Sequence, residues 1–393
     1  MALRIVASRP DPALLRLPWS LRLEEWDDEH VVDLPRGLSR HVVRIVRLGE
    51  QTYAVKETDE GIAFREYRLL RDLHRMGLPA VVPHGVVTGR TDDVGQALPS
   101  ALLTRHLAFS MPYRSLFSDR LVDASVASVI DALVVLLVRL HLADFYWGDV
   151  SLSNVLFRRN AGGFAAYLVD AETGELQPSL APRLREHDLT VARENVFAEL
   201  LDLQASGALG PDVAAHDVVD LLTGRYEALW AELTDVEEFS AAEMWRIEQR
   251  IERLNELGFD VEELEIVTDI GGDTVRIQPK VVELGHHSRE LRDLTGLDVE
   301  EAQARRLLND LAAYTAHHDL GRLDRTTVAA RWRREVYQPI TELVPEPLRG
   351  ELEPAEVFHE VLVHRWYLSE QAGAEVDIFE TARDYVANVL SRR

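Results

Sequence analysis

Between residues 41 and 107 the apolar positions come in short runs closed by turn signals. Val42, Val43, Ile45 and Val46 form one run, Gly49-Glu50 interrupts, and residues 52–56 form the next, which predicts a β-hairpin. From residue 61 to 76 the spacing changes. Ile62, Tyr67, Leu69, Leu70 and Leu73 recur at helical period, and Gly77 stands where a helix would stop. Residues 81–87 and 101–104 read as two more strands. Residues 37–107 are therefore expected to form a small sheet with one helix. Residues 1–36, rich in Pro, Arg and Asp, are expected as an extended lead-in.

Helical patterns dominate after residue 107. A long helix is expected over 124–142, then a loop over 147–154. A hairpin follows, with strands at 155–157 and 165–169 and a turn at Asn160-Ala161-Gly162-Gly163. Helices resume through 189–205, which closes a region spanning 108–225. Residues 226–393 carry a charged helix (241–257), a hairpin turning at Gly271-Gly272-Asp273, a helix over 299–317 and further helices. The expected class is α+β: a small β lobe, a larger helical lobe, and a mainly helical C-terminal domain containing a hairpin.

Composition narrows the function. A length of 393 residues suggests two or three domains, and 46% hydrophobic residues suffice for sizeable cores. A formal charge of −24 argues against a nucleic-acid partner, which needs a basic surface. With no cysteine, disulfides and thiolate metal sites are excluded. The longest apolar run, 132–142, is broken by Arg139 and His141 and falls short of the roughly 20 residues that span a bilayer. No secretory signal pattern opens the chain, so a cytoplasmic location is expected.

The chain has two lysines, Lys56 and Lys280, among 43 basic residues. Arginine replaces lysine almost everywhere, so a retained lysine is a candidate for work that needs a compact ammonium. Lys56 ends the second strand, and Glu66 follows on the predicted helix. Downstream stand Asp149, Asn154 and Asp170. Phosphoryl transfer from a nucleotide needs a cation on the phosphates, an anion to hold it, oxygen ligands for Mg²⁺, and a base for the acceptor hydroxyl. Lys56, Glu66, the pair Asn154 and Asp170, and Asp149 can fill these parts in that order.

That order resembles the protein-kinase-like fold. The stretch FREYRLLRDLHRMGLPAVVPHGVV is similar to the helix and following strand of the bacterial small-molecule and lipopolysaccharide-kinase-like branch. LLTRHLAFSMPYRSLF, FYWGDVSLSNVLFRR, YLVDAETGEL and FHEVLVHRWYLSE resemble an uncharacterised bacterial family joining such a region to a C-terminal domain of unknown function. The resemblance implies ATP and Mg²⁺ as cofactors and an unidentified hydroxyl acceptor, a small molecule or glycan. Departures from the pattern are specific. The glycine-rich loop is reduced to Arg36-Gly37-Leu38-Ser39-Arg40, where Ser39 is the candidate phosphate contact. The usual His-Arg-Asp is Trp147-Gly148-Asp149, and Ser151 replaces the lysine two residues on. Asp170-Ala171-Glu172 replaces Asp-Phe-Gly, so Glu172 can add a second carboxylate near a metal. These departures keep two rivals open: a non-catalytic nucleotide sensor or scaffold whose C-terminal domain binds a protein partner, and transfer of AMP instead of phosphate.

Three other features read as structural. Asp188 is expected to brace the catalytic-loop backbone. Gly285-His286-His287-Ser288-Arg289 is expected as a turn with satisfied polar groups, and the acidic run 261–265 as a solvated face.

Overall fold

The computed structural model describes residues 2–8, 11–27, 30–32, 41–117, 126–210, 213–240, 243, 245–256, 258–268 and 274–392. Ser39, with the rest of the candidate phosphate loop, and the Gly271-Gly272-Asp273 turn lie outside these residues, as do the side chains of 261–265. The chain forms two compact units, one of residues 1–158 and 165–226, the other of 159–164 and 227–393.

In the first unit, β1 (Arg4–Ala7), β2 (Val43–Leu48), β3 (Gln51–Thr58), β4 (Pro83–Thr88) and β5 (Ser100–Arg105) build an antiparallel sheet of order β1-β4-β5-β3-β2. Helix α1 (Glu60–Arg75) starts at Asp59, whose carboxylate accepts the Gly61 N–H at 2.8 Å. Its buried stripe is Ala63, Tyr67, Leu70 and Leu73, and Glu66 lies on the same face, fully buried.

The expected extended lead-in is corrected here. Arg4–Ala7 pairs with β4 as an edge strand, and Leu14, Leu17, Trp19, Leu23 and Trp26 share one core with Val46, Val55 and Leu103. The buried Arg90 guanidinium fixes this segment. It donates to the Trp19 and Leu21 carbonyls and to Glu57, which also accepts the Leu23 N–H. Leu14 and Leu23 sit on short 3₁₀ turns and Leu17, Trp19 and Trp26 just beyond them, so together they show neither helical nor strand period.

The larger lobe is built on β6 (Ser110–Pro112), α2 (Tyr113–Leu116) and α3 (Val126–Leu142). Helix α3 is buried nearly all round, as expected of a core helix. The short strands β7 (Phe145–Tyr146) and β10 (Glu175–Leu176) pair across the loop between them. Strands β8 (Val155–Asn160) and β9 (Gly163–Leu168) join β6 in the order β6-β8-β9. Helix α4 (Pro182–Ala205) and α5 (Ala215–Thr234) as far as Tyr226 complete it.

The second unit has a three-stranded antiparallel sheet, β11 (Glu237–Ser240), β13 (Thr274–Leu284) and β12 (Phe259–Thr268), with α6 (Trp245–Glu256). Its helices are α7 (His286–Thr295), α8 (Glu301–His317), α9 (Arg325–Trp332), α10 (Gln338–Glu342), α11 (Pro354–Ala372) and α12 (Ile378–Asn388). They close around Leu291, Leu307, Trp332, Tyr337, Phe358 and Tyr385. The Gly285–Arg289 segment opens α7 instead of forming an isolated turn. The Glu301 carboxylate accepts the N–H groups of His287 (2.9 Å) and Ser288 (3.0 Å), so this helix N-terminus is filled from within the chain. Among the described residues, no helix is long and apolar enough to cross a membrane.

Candidate functional site

Strand β3 alternates its side chains, so Lys56 and Glu57 face opposite ways. Glu57 goes to Arg90, while the Lys56 ammonium sits 3.0 Å from Glu66, 2.9 Å from Asp170 and 3.4 Å from Glu172. Of the acidic residues near the start of α1, Glu66 alone has the helical phase to reach it; Glu60 is exposed in the first turn. His41 contacts Glu172 at 3.0 Å.

The loop after β9 is tied to α1 by two neighbouring side chains. Glu66 accepts the Ala171 N–H (3.4 Å), and Arg65 donates to the Gly174 carbonyl (3.1 Å). The Asp170 carboxylate accepts the Glu172 N–H at 3.1 Å, which turns the chain so that both carboxylates face Lys56.

Among the described residues, Lys56 faces all three carboxylates of this cluster and His41 faces Glu172. Oxygens of Glu66, Asp170 and Glu172 lie within 4.8 Å of one another. Burial pushes the Glu66 carboxyl up to about 7, opposed by Lys56 and assisted by Asp170. Burial acts to lower the Lys56 pKa, but Glu66 and Asp170 outweigh it and hold the ammonium above its usual value. Clustered oxygen donors and the partial exposure of Asp170 and Glu172 suit a hard divalent cation.

Asp149 stands in a loop held from beneath. Asp188, fully buried, accepts the N–H groups of Trp147 (2.9 Å) and Gly148 (2.7 Å) and contacts His141 Nε2 at 3.1 Å. The other ring nitrogen of His141 meets the Tyr226 hydroxyl at 2.7 Å. Burial lowers the His141 pKa against the pull of Asp188, so the ring is neutral. A proton on Nε2 then faces the carboxylate, and Tyr226 donates to Nδ1. Gly148 has φ +79°, and a Cβ there would stand 3.1 Å from the Tyr146 ring, so the turn into Asp149 requires glycine.

Asn154 donates through Nδ2 to the Asp149 carbonyl (3.0 Å) and carboxylate (3.2 Å), which leaves its amide oxygen as the atom for a cation. Two contributors escaped the sequence reading. Asn195 donates to Asp149 Oδ1 (3.2 Å) and the Val150 carbonyl (3.0 Å), and Glu199 accepts the N–H groups of Leu152 and Ser153, both at 2.8 Å. Their signal was available. Asp188, Asn195 and Glu199 share the α4 stripe that carries buried Ala192, Val196 and Leu200. An apolar slot bounded by Val43, Ala54 and Leu156 runs on to Lys56, Asn154 and Asp170.

This arrangement, a five-stranded sheet with a Lys–Glu pair beside a helical lobe with a loop-borne Asp and Asn, is a kinase-like fold. Residues 43–203 match the model of the lipopolysaccharide kinase (Kdo/WaaP) family. Residues 228–390 match a domain of unknown function, DUF4032. Among solved structures, one titled "WaaP in complex with acyl carrier protein" aligns at 15% identity, covering 58% of this chain and 99% of its own, with a TM-score of 0.32. No curated protein sequence matches the chain.

Proposed function

We propose that the first unit transfers a phosphoryl group from ATP, with Mg²⁺, to a hydroxyl of a small molecule or glycan. The observation carrying this reading is the Lys56 ammonium, held by Glu66 and facing Asp170 and Glu172 at the polar end of an apolar slot. The slot suits a planar base, and Lys56 takes the phosphates. Asn154, Asp170 and Glu172 would hold Mg²⁺, which supplies positive charge against the phosphate oxygens. Asp149 accepts the proton of the acceptor hydroxyl as its oxygen bonds to the γ-phosphorus and the bond to ADP breaks. Ser39 completes the phosphate contacts. ATP use fits the cytoplasm, which we propose as the location.

A thermal-shift series with ATP and Mg²⁺, read together with mass spectrometry of the nucleotide products, tests this. Saturation at 100 times the dissociation constant adds about 2.7 kcal/mol of stability. ADP as product supports phosphoryl transfer, and loss of pyrophosphate supports AMP transfer. Unchanged melting would favour a scaffold whose C-terminal domain binds a protein partner.

A further inference from the structure

Residues 159–164, the end of β8, the turn and the start of β9, belong to the second unit, so the chain enters that unit after Arg158 and leaves it before Ala165. Inside the second unit this hairpin tip is held by buried polar groups. The Asn160 side-chain oxygen accepts the N–H groups of Ala302 (2.9 Å) and Gln303 (3.1 Å), which caps the N-terminus of α8 from a distant part of the sequence. Gln303, fully buried, donates through Nε2 to the Arg159 carbonyl (3.1 Å) and to Glu356 (2.8 Å). Glu356, also buried, accepts the Ala161 N–H at 3.0 Å. Ala161 (φ +50°) and Gly162 (φ +89°) form the two-residue left-handed turn of a hairpin.

β8 starts immediately after Asn154, and Asp170 stands two residues beyond β9. We infer that Asn160, Gln303 and Glu356 are positioning residues: by fixing the tip, the C-terminal domain sets the conformation of the two strands that present Asn154 and Asp170. This rests on the proposed metal role of those two residues. It gives the second unit a task, which is to receive a segment of its own chain and hold it in place.

The test uses the full chain with Asn160→Ala, Asn160→Asp and Glu356→Ala. Aspartate remains a good helix cap and serves as the conservative rescue. Amide exchange is followed over 154–158 and 165–170, with 51–58 on β3 as the internal reference. In the alanine variants the hairpin segments are expected to exchange about tenfold faster while the reference holds, as in a local opening. The Mg²⁺ concentration giving half-maximal ATP binding should rise about tenfold, the range expected for misplaced ligands. Asn160→Asp should restore both. Unchanged exchange over 165–170 in both alanine variants overturns the inference, as does faster exchange with an unaltered Mg²⁺ requirement. If Asn160→Ala does not fold, Glu356→Ala and Asn160→Asp carry the comparison. If the wild-type chain binds no ATP with Mg²⁺, the proposed function fails, while the exchange arm still decides whether the second unit fixes the hairpin.

Discussion

Two of the buried polar clusters in the first unit are built on opposite terms. Around Asp188, each acceptor has a matching donor: two backbone N–H groups and a neutral His141, itself bonded to Tyr226. Around Lys56, among the described residues, three carboxylates share one ammonium and the His41 ring, and one of them is driven toward its protonated form. A satisfied network rigidifies the fold, whereas carboxylates held together store free energy that a ligand of the right charge can release. The difference separates a network that fixes the Asp149 loop from a cluster open to a ligand.

The sharpest way to break the comparison is Asp188→Ala. Removing a fully buried carboxylate leaves the Trp147 and Gly148 N–H groups and His141 without their acceptor. Three donors left unsatisfied, at about 1–3 kcal/mol each, should cost about 3–5 kcal/mol by urea unfolding. A cost below about 1 kcal/mol would mean that the loop is fixed by Asn195 and Glu199 instead.

Next in size are Asp149→Asn and Asp170→Asn, which separate the two proposed roles. Asp149→Asn should keep ATP binding and lower turnover by about 10²-fold or more, because a base acts in the chemical step. Asp170→Asn should also abolish the Mg²⁺-dependent gain in melting temperature, a loss of about 2.7 kcal/mol at saturation. If Asp149→Asn lost ATP binding and folded stability together, Asp149 would be a structural turn residue. Should it keep full turnover, Glu172 becomes the first candidate base.

These clusters were unequally legible. Lys56, Asp149, Asn154 and Asp170 stood out because few residue types do phosphate and metal chemistry, and the turn and strand signals around them were clear. Glu66 was separable from Glu57 and Glu60 only by helical phase, which the sheet and helix then resolved. Asn195 and Glu199 were hidden because polar residues along a helix read as a solvated face until the neighbouring apolar stripe is followed through both. The N-terminal segment was misread because its core residues sit on and just beyond 3₁₀ turns without a period. In the second unit, no reading of Asn160 as anything but a turn residue was possible, because its partners, Ala302 and Gln303, are far away in sequence.

Lys56→Arg asks whether the carboxylate cluster needs a compact charge. Arginine is the default cation of this chain, yet its planar guanidinium is too large for a site where three carboxylates already lie within 3.4 Å of Nζ. ATP affinity should fall about tenfold, or 1.4 kcal/mol, in a titration at fixed Mg²⁺. Wild-type affinity would show that any positive charge serves there.

The last test of this cluster is a pH dependence set by Glu66. Its carboxyl titrates at about 7 in the folded protein and near 4.5 unfolded, so the folded state holds the proton more tightly. The resulting stability is fully present below pH 4.5, declines as pH rises through about 7, and is absent above. Without divalent cations, the wild type should therefore lose stability across this window relative to Glu66→Gln. The steepest part should approach 1.4 kcal/mol per pH unit, about one proton's worth. Lys56 stays charged throughout, since its own pKa is raised. Urea midpoints at successive pH values would measure the difference. Adding Mg²⁺ with ATP should shrink it, because added positive charge favours the ionised carboxylate. Parallel curves for the two proteins would mean that Glu66 is ionised across the window, and that the Lys56 cluster is as well satisfied as the network around Asp188.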